Sequence, residues 1–163
     1  MKYTEYIENS FRLLFCKEEA LTSIVNENKA FLYGIITLLI AGVTTSFYSF
    51  NILTYLFNIL SLLGIVVIGF FFYYLLAVGI FSSQAKMIEY SKALLAPLII
   101  YWVAIIPVIG FYVEILGSLW FFIVNIFLLR KLHKLSTGKA VILGLLPLIL
   151  LFAYLIIVGN SVA

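Results

Sequence analysis

The chain has 163 residues, of which 65% are hydrophobic and only 10% charged, and its mean hydropathy is +1.21. These values lie far outside the range of soluble domains and indicate an integral membrane protein whose main partner is the lipid bilayer. The net charge of +3 is small, and we expect no nucleic-acid partner. The chain contains one Cys, one His and no Asp, which excludes paired-aspartate mechanisms, aspartate-based magnesium sites and a Ser-His-Asp triad.

Residues 1–29 form a cytosolic, amphipathic segment ahead of the first apolar run. Tyr3, Ile7, Phe11 and Leu14 recur at helical spacing with charged residues between them, which predicts an interfacial helix, and a second short helix follows at about 18–26. Five glutamates and the late first apolar run are not typical of a cleavable signal peptide. We expect an ordered cap on the bundle, with a mobile tail as the alternative.

Residues 30–163 are predicted to form an all-α, polytopic membrane bundle of five transmembrane helices. A helix needs about 20 apolar residues to cross about 30 Å of hydrocarbon. The charge-free run 30–85 holds two spans, and the run 93–129 holds two more if Pro107 and Gly110 form a tight turn. The predicted spans cover about 30–47, 56–80, 93–109, 111–130 and 139–158.

Basic residues give the orientation of this bundle. With the N-terminus inside, the inner segments carry all ten Lys and Arg residues and the outer segments carry none. The positive-inside rule therefore predicts a cytosolic N-terminus and an outer C-terminus. A re-entrant hairpin between Lys92 and Arg130 would leave this count unchanged, so it stays open as an alternative to two full crossings.

A polar cluster is predicted within the membrane. Glu114 is the single ionisable residue inside a predicted span, about one turn from the outer face. Polar residues near one face of spans two and four complete this candidate cluster: Glu114, Ser118, Asn125, Asn51, Thr54, Asn58 and Ser61. Interhelical hydrogen bonding is the simpler interpretation. The alternative is a small transporter or ion-permeation protein that uses the polar face around Glu114, Asn58 and Asn125.

Small residues four positions apart predict close contacts between helices. Ala30 and Gly34, then Thr37, Ala41 and Thr45, follow this spacing on span one, and Ala140 and Gly144 follow it on span five. The spacing leaves open whether the contacts lie within one chain or between two.

The basic loop before span five is a candidate cytosolic partner surface, formed by Arg130, Lys131, His133, Lys134 and Lys139. Its cations also complement a helix C-terminus and an anionic lipid surface, which is the simpler interpretation. Cys16 and His133 both fall on the inner side, but no other feature supports a nucleophile there. We predict no catalytic residue, metal site or cofactor.

The stretch Leu119–Leu150 contains Trp120, His133, Leu135, Ser136, Lys139, Ala140 and Pro147. These residues and the order of elements resemble the Yip1 family of five-span membrane proteins, and the segment 11–20 is similar to the family's entry segment. Two features depart from the family pattern. Cys16-Lys17 stands where many members have a proline, and the loop 82–92 lacks paired glycines.

The resemblance implies a non-catalytic protein with a cytosolic N-terminus. With only 29 residues before span one, the chain resembles the short prokaryotic members, for which we expect a cell-membrane location. The family offers no settled activity for those members, so the Rab-linked role of eukaryotic members is not transferred. The sequence hypothesis is a membrane-organising or scaffold protein that binds other membrane proteins or itself as a homo-oligomer.

Overall fold

The computed structural model describes residues 1–46, 52–106 and 109–146, with the side chains of most of them, and these residues are helical with no strand. The helices, in chain order, are α1 (Tyr3–Leu14), α2 (Glu18–Asn26), α3 (Ala30–Ser46), α4 (Ile52–Phe81), α5 (Met87–Leu95), a 3-10 helix (Ala96–Ile105), α6 (Ile109–Leu132) and α7 (Thr137–Leu146). The predicted all-helical class is confirmed for this part of the chain.

Helix α1 buries a different line of side chains from the predicted one. Tyr6, Ser10 and Leu13 face the bundle, and Leu14 is also buried, whereas Phe11 is 43% exposed. The prediction used the apolar residues that recur at helical spacing, from Tyr3 to Leu14, to choose the buried face. Ser10 enters the buried face because its hydroxyl donates to the Tyr6 carbonyl oxygen at 2.8 Å and so needs no external partner.

Three polar contacts hold α1 and α2 against the later helices. The indole of Trp120 in α6 donates to the carbonyl oxygen of Leu14 at 2.7 Å. Lys92 donates through Nζ to the Val25 carbonyl oxygen at 2.9 Å, at the C-terminal end of α2, where a cation complements the helix dipole. Lys131 and Glu18 pair at 2.6 Å. The N-terminal segment is therefore an ordered part of the bundle.

The small-residue faces predicted on spans one and five are used within the chain. A Cβ added at Gly34 would lie 2.7 Å from Leu95 Cβ, and one added at Gly42 would lie 2.6 Å from Ile59 Cγ1, so both positions need glycine. Ala41 is fully buried. A Cβ at Gly144 would lie 3.0 Å from Ile126. Close packing of α3 and α7 is thus an intrachain property.

The third apolar element begins earlier than predicted. It runs over Met87–Ile105, compared with a predicted start at residue 93, and changes from α to 3-10 geometry at Ala96, where Pro97 occupies the first turn. The two parts together rise about 33 Å, enough to cross about 30 Å of hydrocarbon. The predicted start was late because Lys92, being charged, was placed in a loop. In the structure Lys92 lies within the helix, and its ammonium donates to the Val25 carbonyl oxygen.

Helix α6 returns antiparallel to this element. A Cβ at Gly110 would clash with the carbonyl oxygen of Ala104, while Gly117 lies against Ile100, and Asn125 bonds to Tyr90. Gly110 permits the closest approach, next to the turn predicted there, and its amide donates to the Ile106 carbonyl oxygen at 2.8 Å. Pro107 itself lies outside the described residues.

Contacts also give the directions of the remaining helices. Phe31 and Ile35 of α3 share a groove with Val66 and Phe70 of α4, whereas Gly42, later in α3, meets Ile59, earlier in α4, so these two helices run antiparallel. Thr44 donates to the Tyr101 carbonyl oxygen at 2.9 Å while Gly34 meets Leu95, so α3 runs parallel to Met87–Ile105. In α7, Lys139 lies over Phe81 and Gly144 accepts from Tyr73, which makes α7 antiparallel to α4.

Two helices in the described part of the chain are long and apolar enough to cross a membrane, Met87–Ile105 and Ile115–Leu132. The pair Glu18–Asn26 and Ala30–Thr45 would be a third if it were one span, but it bends by 109°. These helices are compatible with a membrane protein.

Candidate functional site

Asn125 is the one member of the predicted intramembrane cluster whose side chain the structure describes. It is 2% exposed, and its Oδ1 accepts a hydrogen bond of 2.6 Å from the Tyr90 hydroxyl. The amide therefore joins α6 to α5 by a hydrogen bond between helices. The side chains of the other members lie outside the described part: Glu114, Ser118, Asn51, Thr54, Asn58 and Ser61. No described contact favours the transporter alternative.

Close to this bond, five side chains from four parts of the chain form what we call the inner node, consisting of Tyr74, Ser83, Tyr90, Asn125 and His133. The imidazole of His133 lies edge-on to the ring of Tyr90, with centroids 4.9 Å apart, and to that of Tyr74, at 5.9 Å. Its Nδ1 lies 2.8 Å from Ser83 Oγ. The node thus joins the loop after α4 to the end of α6.

Backbone turns at the two helix ends bring these residues together. Ser82 after α4 and Lys134 after α6 both adopt left-handed φ angles, of 52° and 53°. Such residues end helices and reverse the chain direction. The reversal after α4 returns Ser83 towards the bundle, where its amide donates to the Ala77 carbonyl oxygen at 3.2 Å.

The Ser83 hydroxyl makes two hydrogen bonds beside His133. Its Oγ accepts from the amide of Ala85 at 3.2 Å and shares a hydrogen with Nδ1 of the imidazole at 2.8 Å, where the tautomer decides which atom donates. Nε2 is the other ring nitrogen. It is buried and has no nitrogen or oxygen partner within the described residues, so the aromatic rings are its neighbours.

Burial lowers the pKa of His133 to about 4, because the charged form loses its hydration. Ser83 Oγ and His133 Nδ1 lie 2.8 Å apart, and Nε2 of the imidazole has no hydrogen-bond partner among the described residues. The hydrogen bond joins the loop after α4 to the end of α6. The pair therefore acts as a clamp between two loops.

Cys16 is separate from this pair. It is half-buried, burial raises the pKa of its thiol, and it is not among the described residues that line the cavity next to His133. A thiol with a raised pKa is a poor source of thiolate. Among the described residues, no group of three His, Cys, Asp or Glu side chains could hold a metal ion.

The predicted partner surface is only partly exposed. Arg130, Lys131, Lys134 and Lys139 lie at the surface, whereas His133 is 3% exposed and lies beneath them. The prediction treated the loop as uniformly solvated and did not anticipate that the ring contacts of the inner node would draw His133 inwards. Sequence reasoning also missed Ser83 and Tyr90, since neither belongs to a recognisable motif.

The low pKa of His133 predicts a pH-dependent stability. A histidine has a pKa near 6.5 when unfolded, so the unfolded chain binds the proton more tightly than the folded one, whose value is about 4. Stability is therefore complete above about pH 6.5 and falls as the pH drops towards 4, by on the order of 2 kcal/mol from this group.

Thermal unfolding in detergent at several pH values measures this effect. His133→Asn should flatten the profile, because asparagine can still bond to Ser83 but does not titrate. The exposed neighbour Lys134→Gln should keep the wild-type slope. If the stability of His133→Asn and of the wild type depended on pH with the same slope, His133 would not be the group responsible.

Comparison with family models, with curated proteins and with solved structures finds no match to this chain. The geometry of the inner node and of the surfaces around it is therefore the basis for a functional assignment.

Proposed function

We propose that this chain is a non-catalytic, Yip1-like membrane protein with five spans, which organises other membrane proteins or copies of itself through lateral contact. Its N-terminus lies in the cytosol and its C-terminus outside. The observation that carries the proposal is an exposed apolar face of α4 with a glycine at its centre.

Helix directions support five crossings. The elements α3, α4, Met87–Ile105, α6 and α7 alternate in direction, as successive crossings require. Helix α4 has 30 residues and α6 has 24, so both exceed the length needed to span the hydrocarbon. A short re-entrant hairpin is less well supported, because Met87–Ile105 and α6 pair over about 22 Å, from Gly110 to Asn125.

The grouping of the inner loops supports the orientation. Ser83 contacts His133 and Lys139 lies over Phe81, so the loop after α4 and the loop after α6 meet at one end of the bundle. The contact between Lys131 and Glu18 joins the N-terminal segment to the same end. These are the segments that carry the basic residues, as a cytosolic surface would.

The exposed face of α4 has the spacing of a helix-packing surface. Large apolar residues recur on it every three or four positions, at Leu56, Phe57, Leu60, Leu63, Val67 and Phe71. A Cβ added at Gly64, among them, would meet no described atom of the chain within 4 Å. Small residues let membrane helices approach closely, and no described residue occupies the space beside Gly64, so this position suits contact with a helix of another protein.

The other small-residue faces are not free in this way. Those on α3 and α7 pack within the chain, against Leu95, Ile59 and Ile126. The α4 face is therefore the best described candidate for lateral contact.

Topology is testable with single cysteines at Ser49 and Ser136 in a Cys16→Ser background. A membrane-impermeant maleimide should label only the cysteine at 49 from outside, because Ser136 lies between basic segments on the inner side. Equal labelling of both in sealed cells would contradict the orientation.

Lateral contact is testable by photocrosslinking in native membranes. A benzoylphenylalanine at Leu60 should give a product of higher mass, whereas one at Leu119, which is similarly exposed on α6, should not. Gly64→Leu should lower the yield of the crosslinked product at residue 60 about tenfold. The added side chain blocks the partner helix but meets no described atom of this chain.

Gly79→Leu is the matched control. A Cβ at Gly79, like one at Gly64, would meet no described atom within 4 Å, but Gly79 lies beyond the apolar face, near the end of α4. The mass of the product distinguishes a second copy from another protein. The proposal fails if no product forms at residue 60, or if residues 60 and 119 give equal yields.

A further inference from the structure

A polar cavity of about 480 Å³ opens at the inner end of the bundle, between the loop after α4 and the loop after α6. Ser82 and Gln84 line one side, and Lys134, Ser136 and Lys139 line the other. The left-handed turns at Ser82 and Lys134 stand at its rim. Its volume falls in the range of cavities that bind small molecules.

The charges around the cavity are unbalanced. Neither Lys134 nor Lys139 has a carboxylate partner within the described residues, where the ion pairs are Met1 with Glu27, Arg12 with Glu8, Lys86 with Glu89 and Lys131 with Glu18. Glu89 also lines the cavity, but it lies 3.7 Å from Lys86, so this pair adds no net charge. Two lysines without a carboxylate partner among the described residues therefore line the same cavity, and the Lys139 ammonium lies 5.4 Å from the ring centroid of Phe81, which also lines it.

Two helices begin next to the cavity, which is lined by Ala85 and Glu89 around the start of α5 and by Ser136 and Lys139 around the start of α7. Helix α5 starts at Met87, after Lys86, whose side chain makes no capping hydrogen bond, and α7 starts at Thr137, directly after Ser136. The first amides of a helix have no intrahelical acceptor and carry a partial positive charge. Gly138 leaves the start of α7 open, since a Cβ there would meet nothing within 4 Å.

We propose that this cavity binds a phosphate-bearing anion. Lys134 and Lys139 supply the charge, the hydroxyls of Ser82 and Ser136 donate hydrogen bonds, and the first turn of α7 completes the site. The cavity has room for a phosphate group and part of the molecule that carries it. Two sources share this chemistry, the headgroup of an inner-leaflet phospholipid and a free phosphate compound.

This inference does not depend on lateral contact through α4. The α4 face and the cavity are formed by different residues, so either proposal can fail without the other.

Binding is tested with the full chain purified in a non-ionic detergent. One arm titrates inorganic phosphate and glycerol phosphate by calorimetry. The second arm measures retention of phosphatidylglycerol by native mass spectrometry after exchange from mixed micelles with phosphatidylcholine. Binding in the first arm identifies a free phosphate compound, and retention in the second arm alone identifies a lipid headgroup.

The double variant Lys134→Gln, Lys139→Gln should bind the phosphate compound or the lipid about tenfold more weakly for each lysine removed. Lys17→Gln with Arg130→Gln is the matched control, because it removes the same charge from the inner surface, breaks none of the described ion pairs and leaves the cavity residues unchanged. Equal losses in the two double variants, or no binding by the wild type in either arm, would overturn the proposal.

A single variant distinguishes loss of the binding site from loss of folding. Ser136→Asp keeps a good N-terminal cap for α7 and places a carboxylate in the cavity. Its thermal stability should equal or exceed that of the wild type, while phosphate and lipid binding are lost. A folded Ser136→Asp variant that binds as tightly as the wild type would also overturn the proposal.

Discussion

Lipid tails are as apolar as most of the side chains in this chain, so burial of apolar surface gives the helices little reason to prefer one neighbour over another in a membrane. Close packing and hydrogen bonds must select the contacts. The described structure meets this constraint at a few positions, the glycines of α3 and the bond between Tyr90 and Asn125. These contacts join α3 to α5 and α4, and α5 to α6.

The end of the bundle where the loops after α4 and α6 meet depends on the same constraint. The bond between Tyr90 and Asn125 fixes α5 against α6, which places the ring of His133 over Tyr90 and its Nδ1 beside Ser83. The two loops are then held together, and the lysines of the second loop are left at the surface. The polar cavity between the loops is a consequence of this clamp.

Much of the helical framework followed from composition and charge. The start of α3 and both ends of α2 agree with the predicted positions, because an abrupt change from charged to apolar residues marks them. The start of the third apolar element was predicted six residues late. Charge patterns alone do not tell whether a lysine such as Lys92 lies in a loop or reaches a carbonyl from within a helix.

Less of the site was predictable. The sequence singled out Asn125 and His133, but not their partners Tyr90 and Ser83, since hydroxyl side chains near a predicted loop carry no signal of a long-range bond. The surface position expected for His133 was wrong because its environment depends on rings contributed by α4 and α5. Helix periodicity gives the face of a residue but not the identity of the helix opposite.

A double-mutant cycle on Tyr90→Phe and Asn125→Leu tests the central claim that this hydrogen bond selects the helix contact. Unfolding of the four proteins in mixed micelles gives the coupling free energy between the two side chains. The account predicts a favourable coupling of about 0.6 to 2 kcal/mol, the range for interhelical bonds in membranes, with the double variant more stable than the sum of the single effects implies. Strictly additive effects would contradict it.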